Sequence, residues 1–227
     1  ASPVLGPNKP DFEHWIVRGM GLSLDNVWVC SPHLGDTFPK LEDIAGVIVT
    51  GSAAMVTDKA DWSEQTAAWM ADVVVAQVPL LGICYGHQLL AHALGGVVDY
   101  NPKGREIGTV AIDVHEAGQA DDLLGSLPTH FWAQASHSQS VIQLPKEAQL
   151  LASNDLEPHH AFVVGDCAWG VQFHPEFDAH FIRALIDHRE KDLKAEGLDV
   201  DALRLGIRET PEAYGVLKRF AELVAQF

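Results

Sequence analysis

Gly82-Ile83-Cys84-Tyr85-Gly86-His87-Gln88 decides the fold. Val78-Pro79-Leu80-Leu81 precedes it, short, apolar and suited to a buried strand. Leu89 to Leu94 follows as a helix-like stretch, and Gly95-Gly96 supplies its C-cap. Cys84 therefore sits on a tight turn from strand to helix, with a glycine two residues away on either side. Such a turn pushes the side chain out past the sheet edge. It also aims the unpaired N–H groups of the helix N-terminus at the sulfur, which favours thiolate over thiol. Free cysteine is usually a small core residue. From the turn alone, nucleophile and core filler are evenly matched.

Upstream, Gly46-Val47-Ile48-Val49-Thr50 is a continuous apolar strand of the kind buried on both faces of a parallel sheet. It runs into Gly51-Ser52-Ala53-Ala54, a small-residue loop at a strand's carboxyl end, where open α/β sheets place ligands. Trp62 to Gln77 reads as a helix, so strand and helix alternate and predict a parallel sheet with right-handed crossovers. Asp11 to Met20 carries Phe12, Trp15, Ile16 and Met20 at roughly helical spacing. Val27-Trp28-Val29-Cys30 is a candidate strand, and Ser31 to Lys40 reads as loop. The chain opens on Ala1, and only Val4-Leu5 precedes Gly6-Pro7-Asn8, so the first strand of an α/β domain is expected to be short or partly absent.

Downstream, the texture changes from Val97 to about Val171. Short β-like pieces at Val97–Tyr100, Gly108–Val114, Thr129–Gln134, Ala148–Ala152 and Ala161–Val164 predict an antiparallel extension of the sheet. Gly104 to Gly108 and Ser136 to Ser140 read as polar loops. Gly170-Val171-Gln172-Phe173 is a final apolar strand and ends in His174-Pro175-Glu176. Asp178 N-caps a helix expected to run to about Glu196, a short helix is expected at Asp199–Leu205, and Pro211 to Phe227 is another. The expected fold class is α/β. An open, mostly parallel central sheet is flanked by helices and carries an antiparallel extension. A single domain is expected, with its core at about 1–190 and a C-terminal helical appendage at about 191–227.

His174 and Glu176 are two apart, and in extended chain residues i and i+2 share a face. A carboxylate beside an imidazole fixes its tautomer and raises its basicity. As two residues alone they are more often an incidental surface pair. The pair gains weight because it terminates an apolar strand, with Pro175 stiffening the spacing. With a cysteine elbow elsewhere in the chain, this is the arrangement that a Cys–His–Glu triad requires. Acyl transfer also needs N–H donors for the oxyanion. Tyr85 at the elbow is placed to give one, and the Gly51-Ser52 loop is the best source of the second.

Composition bounds the partners. The 227 residues are 47% hydrophobic and carry a net charge of −16, which argues against nucleic acid and anionic membrane. Cys30, Cys84 and Cys167 are odd in number and widely spaced, so no disulfide framework or zinc motif is visible and a reducing cytoplasm is expected. No run is long and apolar enough to span a membrane, and no signal peptide is expected. The 12 histidines form no metal motif. No cofactor or metal is expected. His159-His160 reads as a loop pair. Trp62, Trp69, Trp132 and Trp169 read as packing residues, and Cys30 and Cys167 as inert core thiols.

Gly-Ile-Cys-Tyr-Gly-His-Gln, the Thr50-Gly51-Ser52 before it and Gly170-Val171-Gln172-Phe173-His174-Pro175-Glu176 together resemble the class I (triad) glutamine amidotransferases, most closely the stand-alone GMP-synthase-like type. The resemblance covers roughly residues 40–185. It implies a flavodoxin-like sheet, Cys84 as the nucleophile of a γ-glutamyl thioester, His174 as base and acid, and Glu176 as its orienter. It also implies an oxyanion hole from the Ser52 and Tyr85 N–H groups, contacts to a small-molecule substrate from Gly51, Gln88, Ser136, His137 and Ser138, and a weaker pocket wall at Gly104 and Gly108. His137 is implied to be structural rather than a second base. The family's oxyanion loop is often Gly-Gly-Pro, whereas this chain has Gly51-Ser52-Ala53. No synthetase domain or phosphate loop is visible, so an ammonia acceptor is expected on a separate synthetase subunit. A γ-glutamyl peptidase or hydrolase with the same triad is the alternative, and a silent regulatory subunit is the second alternative.

Overall fold

The structure, a computed structural model, describes residues 12–227. The short strand expected at Val4–Leu5 lies outside the described residues. In chain order the elements begin with α1 (Phe12–Met20), β1 (Val47–Val49), α2 (Asp61–Val75), β2 (Leu80–Ile83) and α3 (Tyr85–Ala93). Next come β3 (Val97–Tyr100), β4 (Glu106–Val114), α4 (Glu116–Gln119), β5 (His130–His137), β6 (Gln139–Gln143), β7 (Ala148–Ser153), β8 (Ala161–Val164) and β9 (Ala168–Val171). Four helices close the chain: α5 (Ala179–His188), α6 (Glu190–Ala195), α7 (Val200–Gly206) and α8 (Pro211–Val224).

Seven strands form one sheet in the order β1-β2-β9-β8-β7-β4-β5, and β3 pairs with β6 in a separate ribbon. β2 lies parallel between β1 and β9, in register Leu80↔Ala168 to Ile83↔Val171 on the β9 side. All residues of β2 and β9 are buried, which is why their sequences are continuously apolar. From β9 outward every pairing is antiparallel. The chain is thus an α/β fold whose mixed sheet has a parallel part and an antiparallel extension.

Side chains from β2 alternate between two cores. Leu81 and Ile83 face a layer formed by α1 and α8, where Ile16, Val216, Leu217 and Phe220 pack around Trp169. Leu80 faces Met70 and Val73 of α2 and Leu89 and Leu90 of α3. Fully burying each such aliphatic side chain is worth about 1.5–3 kcal/mol. A third cluster joins Phe177, Phe181 and Ile182 to Ile107, Leu193 and Val200. Residues 211–224 form α8, whose Val216, Leu217 and Phe220 pack in the first of these cores.

Local departures have identifiable causes. Residues 27–30 form no strand: Trp28 and Val29 are 67% and 49% exposed. β-propensity describes fit to a pleated, half-buried surface, and this run has no strand partner among the described residues. The helix expected from Asp178 divides at Arg189 (φ −96°, ψ 8°). That bend brings Leu193 into the third cluster. Its predicted cap holds, since the Phe181 N–H donates to Asp178 Oδ1 at 2.7 Å. The stretch Ser136–Ser140, expected as loop, is the end of β5 and the start of β6.

Candidate active site

The elbow is a steric necessity. A Cβ on Gly82 would lie 2.4 Å from the Gly86 carbonyl oxygen, and one on Gly86 would lie 2.1 Å from the Val49 carbonyl oxygen. Neither backbone atom can retreat, so only glycine permits α3 to start this close to β1 and β2. Cys84 itself is held at φ 49°, ψ −97°, a conformation that L-residues rarely adopt and that functional sites often store. Tyr85 opens α3, so its N–H has no partner within the helix.

Three adjacent parallel strands deliver the polar groups from their carboxyl ends. β1 leads to Gly51, β2 to Cys84 and β9 to His174. The Cys84 thiol donates to the Ser136 carbonyl oxygen at 3.8 Å, and His174 lies close enough to bias its charge. His174 Nδ1–H donates to Glu176 Oε1 at 2.8 Å, which leaves the other ring nitrogen for sulfur. The imidazole lies flat on Phe177, with ring centroids 3.9 Å apart and planes at 4°. A Cβ at Gly51 would strike its Cε1 at 2.8 Å. The His174 N–H donates to the Gln134 carbonyl at 2.8 Å, an isolated bridge to β5. Backbone, face and edge of the ring are therefore all fixed.

Cys84, His174 and Glu176 are 6%, 4% and 2% exposed. Burial pushes the Cys84 thiol up, but the charge and hydrogen bond of His174 outweigh it and leave the thiol below its ordinary value. Burial likewise disfavours a charged His174, but Glu176 and the Cys84 sulfur raise it well above the usual imidazole range. Each of the two groups thus favours the charged form of the other, and Glu176 backs the imidazole. Glu176 Oε2 is buried and has no hydrogen-bond partner among the described residues.

The other anticipated residues are distributed around this line. Ser52 is exposed, and its Oγ accepts from the Ala54 N–H at 3.1 Å, which shapes the loop. The Tyr85 hydroxyl pairs with Ser63, and its ring stacks on Trp62 at 5.7 Å. Gln88 is buried and uses its amide N–H groups within the protein, on the Gln139 carbonyl (2.8 Å) and Gln172 Oε1 (3.0 Å). Ser136 and Ser138 are half-buried at the β5–β6 junction. Gly104 (φ 96°) lies in a turn with nothing within 4 Å of where a Cβ would stand. Gly108 (φ 115°) faces Leu203 of α7. Among the described residues no group of His, Cys, Asp and Glu is arranged to hold a metal ion.

Sequence reasoning missed the polar cluster behind the elbow. His137 Nε2 lies 2.9 Å from Glu106 Oε2, and His160 Nε2 lies 3.0 Å from the same oxygen. Glu157 is fully buried beside them and accepts from the Ser140 hydroxyl and from the His159 N–H at 3.0 Å. His159 and His160 lie in the loop before β8, as expected, and His160 is fully buried there. Glycine flanks at Gly104 and Gly108 were the nearest signal to Glu106, and they said turn rather than buried charge.

The glutamine amidotransferase class-I family model matches residues 12–182. This chain belongs to that family. The amidotransferase chain is 37% identical over 143 residues to a GMP synthase (glutamine-hydrolyzing) of Aeropyrum pernix, covering 63% of this chain and 26% of that protein. It is 27% identical over 194 residues to gamma-glutamyl peptidase 2 of Arabidopsis thaliana, covering 81% of this chain and 77% of that one. It spans only between 24% and 31% of the GMP synthases it matches. A glutamine amidotransferase of Thermotoga maritima shares the fold, with a TM-score of 0.77 at 22% identity over 95% of this chain and 92% of that one. One from Methylobacillus flagellatus gives 0.73 at 26% identity over 96% and 88%. No described helix is long and apolar enough to cross a membrane.

Proposed function

We propose that the protein hydrolyses the side-chain amide of glutamine, with Cys84, His174 and Glu176 as a catalytic triad. The observation that carries the reading is the buried line from the Cys84 thiol through His174 to Glu176, assembled at the carboxyl ends of adjacent parallel strands. The Cys84 thiolate attacks the amide carbon, and the developing oxyanion is held by the N–H groups of Ser52 and Tyr85. The tetrahedral intermediate collapses as His174 gives its proton to the departing amine, which releases ammonia and leaves a γ-glutamyl thioester. His174, now neutral, takes a proton from water. The hydroxide adds to the thioester, Cys84 leaves as thiolate, and glutamate departs. Glu176 keeps Nδ1 protonated throughout, so the other nitrogen always faces the chemistry. Gly51, Gln88, Ser136, His137 and Ser138 line or support the substrate pocket in this reading. A reducing cytoplasm suits a chain whose Cys30, Cys84 and Cys167 are all free thiols.

Ammonia release from glutamine, with Cys84→Ala as the blank, tests it. Cys84-dependent release establishes a self-sufficient glutaminase and turns attention to a separate synthetase subunit as acceptor. A second reading keeps the triad and changes the substrate to a γ-glutamyl peptide or polyamine conjugate. It is favoured by the match to gamma-glutamyl peptidase 2, which covers most of both chains. Turnover of such conjugates with none of glutamine would select it. If neither substrate class acylates Cys84, the silent-subunit reading stands instead.

A further inference from the structure

Behind the elbow lies a second imidazole that this reaction leaves unused. His137 ends β5, next to the Ser136 carbonyl that meets the thiol, and its side chain is 1% exposed. Its Nε2 faces Glu106 Oε2 at 2.9 Å, and its Nδ1 faces the Gln139 carbonyl oxygen at 3.0 Å. A carbonyl oxygen and a carboxylate oxygen both only accept. A neutral imidazole carries one hydrogen and would leave lone pairs facing each other at one of these contacts. The imidazolium donates to both.

A protonated Glu106 is the other way to satisfy the pair, and its surroundings oppose it. Asn154 Nδ2–H donates to Glu106 Oε1 at 2.8 Å, and His160 Nε2 approaches Oε2 at 3.0 Å. Burial favours the neutral carboxyl, but His137 and His160 outweigh burial and hold it well below the ordinary carboxylate range. Burial also disfavours a charged His137, and Glu106, Cys84 and Glu157 outweigh it and raise the imidazole. The titratable groups around His137 are Glu106 of β4, Glu157 and His160 of the segment before β8, Cys84 of the elbow, His174 after β9 and His87 of α3.

We propose that His137, locked as an imidazolium between Glu106 and the Gln139 carbonyl, is a positioning residue that holds Cys84 as its thiolate without joining the proton transfers. The proposal rests on Cys84 being the nucleophile. His174 loses its proton to ammonia and regains one from water, so its charge comes and goes. His137 has no nitrogen free to exchange a proton with substrate, so its charge stays while Cys84 acts first as nucleophile and then as leaving group.

Two measurements on the full chain test this. Long-range 1H–15N correlation of the histidine side chains at pH 7–8 is expected to show both His137 nitrogens protonated, and a neutral tautomer there overturns the proposal. The second follows iodoacetamide alkylation of Cys84 against pH, read by mass spectrometry on the Cys84 peptide so that Cys30 and Cys167 do not contribute. In His174→Asn the alkylation midpoint is expected to stay below the ordinary thiol value of about 8.5. Adding His137→Gln, which keeps two N–H donors and removes the charge, is expected to raise the midpoint by about one pH unit or more. Equal midpoints in the two proteins overturn the proposal. Should the double variant fail to fold, the spectrum of the unaltered protein decides alone. Neither measurement uses a substrate, so a wrong substrate assignment leaves both results standing.

Discussion

Two buried histidine–glutamate pairs flank Cys84, and they differ in what is left over. In the His174–Glu176 pair one ring nitrogen is tied to carboxylate and the other meets sulfur. In the His137–Glu106 pair both ring nitrogens are tied to protein acceptors. The first can pass a proton and the second can only keep one. A histidine beside a carboxylate is therefore not by itself a base. Its role depends on the remaining nitrogen, a matter of backbone placement rather than of residue type.

Activity should separate the pairs most sharply. His174→Asn is expected to lower glutamine turnover by about 10⁴-fold, whereas His137→Gln, which alters charge but not proton transfer, should cost about tenfold. Ammonia release at pH 8 checks both, and equal losses would erase the distinction. Glu176→Gln keeps an acceptor for His174 Nδ1 and removes the charge, so kcat should fall by about 10²-fold with KM little changed.

A third histidine sharpens the contrast from the opposite side. His87 is fully buried against Phe162 with no carboxylate beside it, and its ring nitrogens meet no hydrogen-bond partner among the described residues although the Gly170 backbone lies next to it. Burial, helped by the neighbouring histidines, holds it down to about 3 from an ordinary 6.5. The folded state thus favours the neutral ring. Its stabilising effect is complete above pH 6.5 and is lost as pH falls toward 3, because the unfolded chain binds the proton first. Urea unfolding at pH 7 and pH 5 should show His87→Leu losing about 2 kcal/mol less stability between them than the unaltered protein. The smallest effect is expected one residue from Glu106. Arg105 makes a two-pronged ion pair with Glu196 at 2.7 and 2.9 Å, partly in solvent. Arg105→Ala should cost less than about 1 kcal/mol, and less still in high salt.

What could be read from the residue order follows from these contacts. The elbow was legible because Gly82 is demanded by the Gly86 backbone and Gly86 by the Val49 backbone of the adjacent strand, and such steric demands leave a fixed spacing around Cys84. His174 and Glu176 were legible for the same reason, being two residues apart at the end of an apolar strand. The Glu106–His137–Glu157–His160 cluster was not. Its members come from three separate segments, and a buried charge that finds its partner across the fold leaves no periodicity behind. Gln139 and Ser140 hid β6 in the same way, since both are buried in the sheet ribbon on polar partners. Trp28 and Val29 failed in the other direction, being strand-like residues with no edge to join.

The hydrogen bond from the His174 N–H to the Gln134 carbonyl has a geometric consequence of its own. β5 is the outermost strand, four places from β9 in the order β9-β8-β7-β4-β5, yet the residue leaving β9 touches it. The strands between them are bent into a hoop, and Phe131 of β5 packs edge to face on Phe173. A ribbon can flex freely at its margin, but a hoop transmits a change in girth to every point on it. One residue inserted or removed in the distant β4–β7 ladder would resize the ring and carry the imidazole away from sulfur, as surely as a substitution beside it.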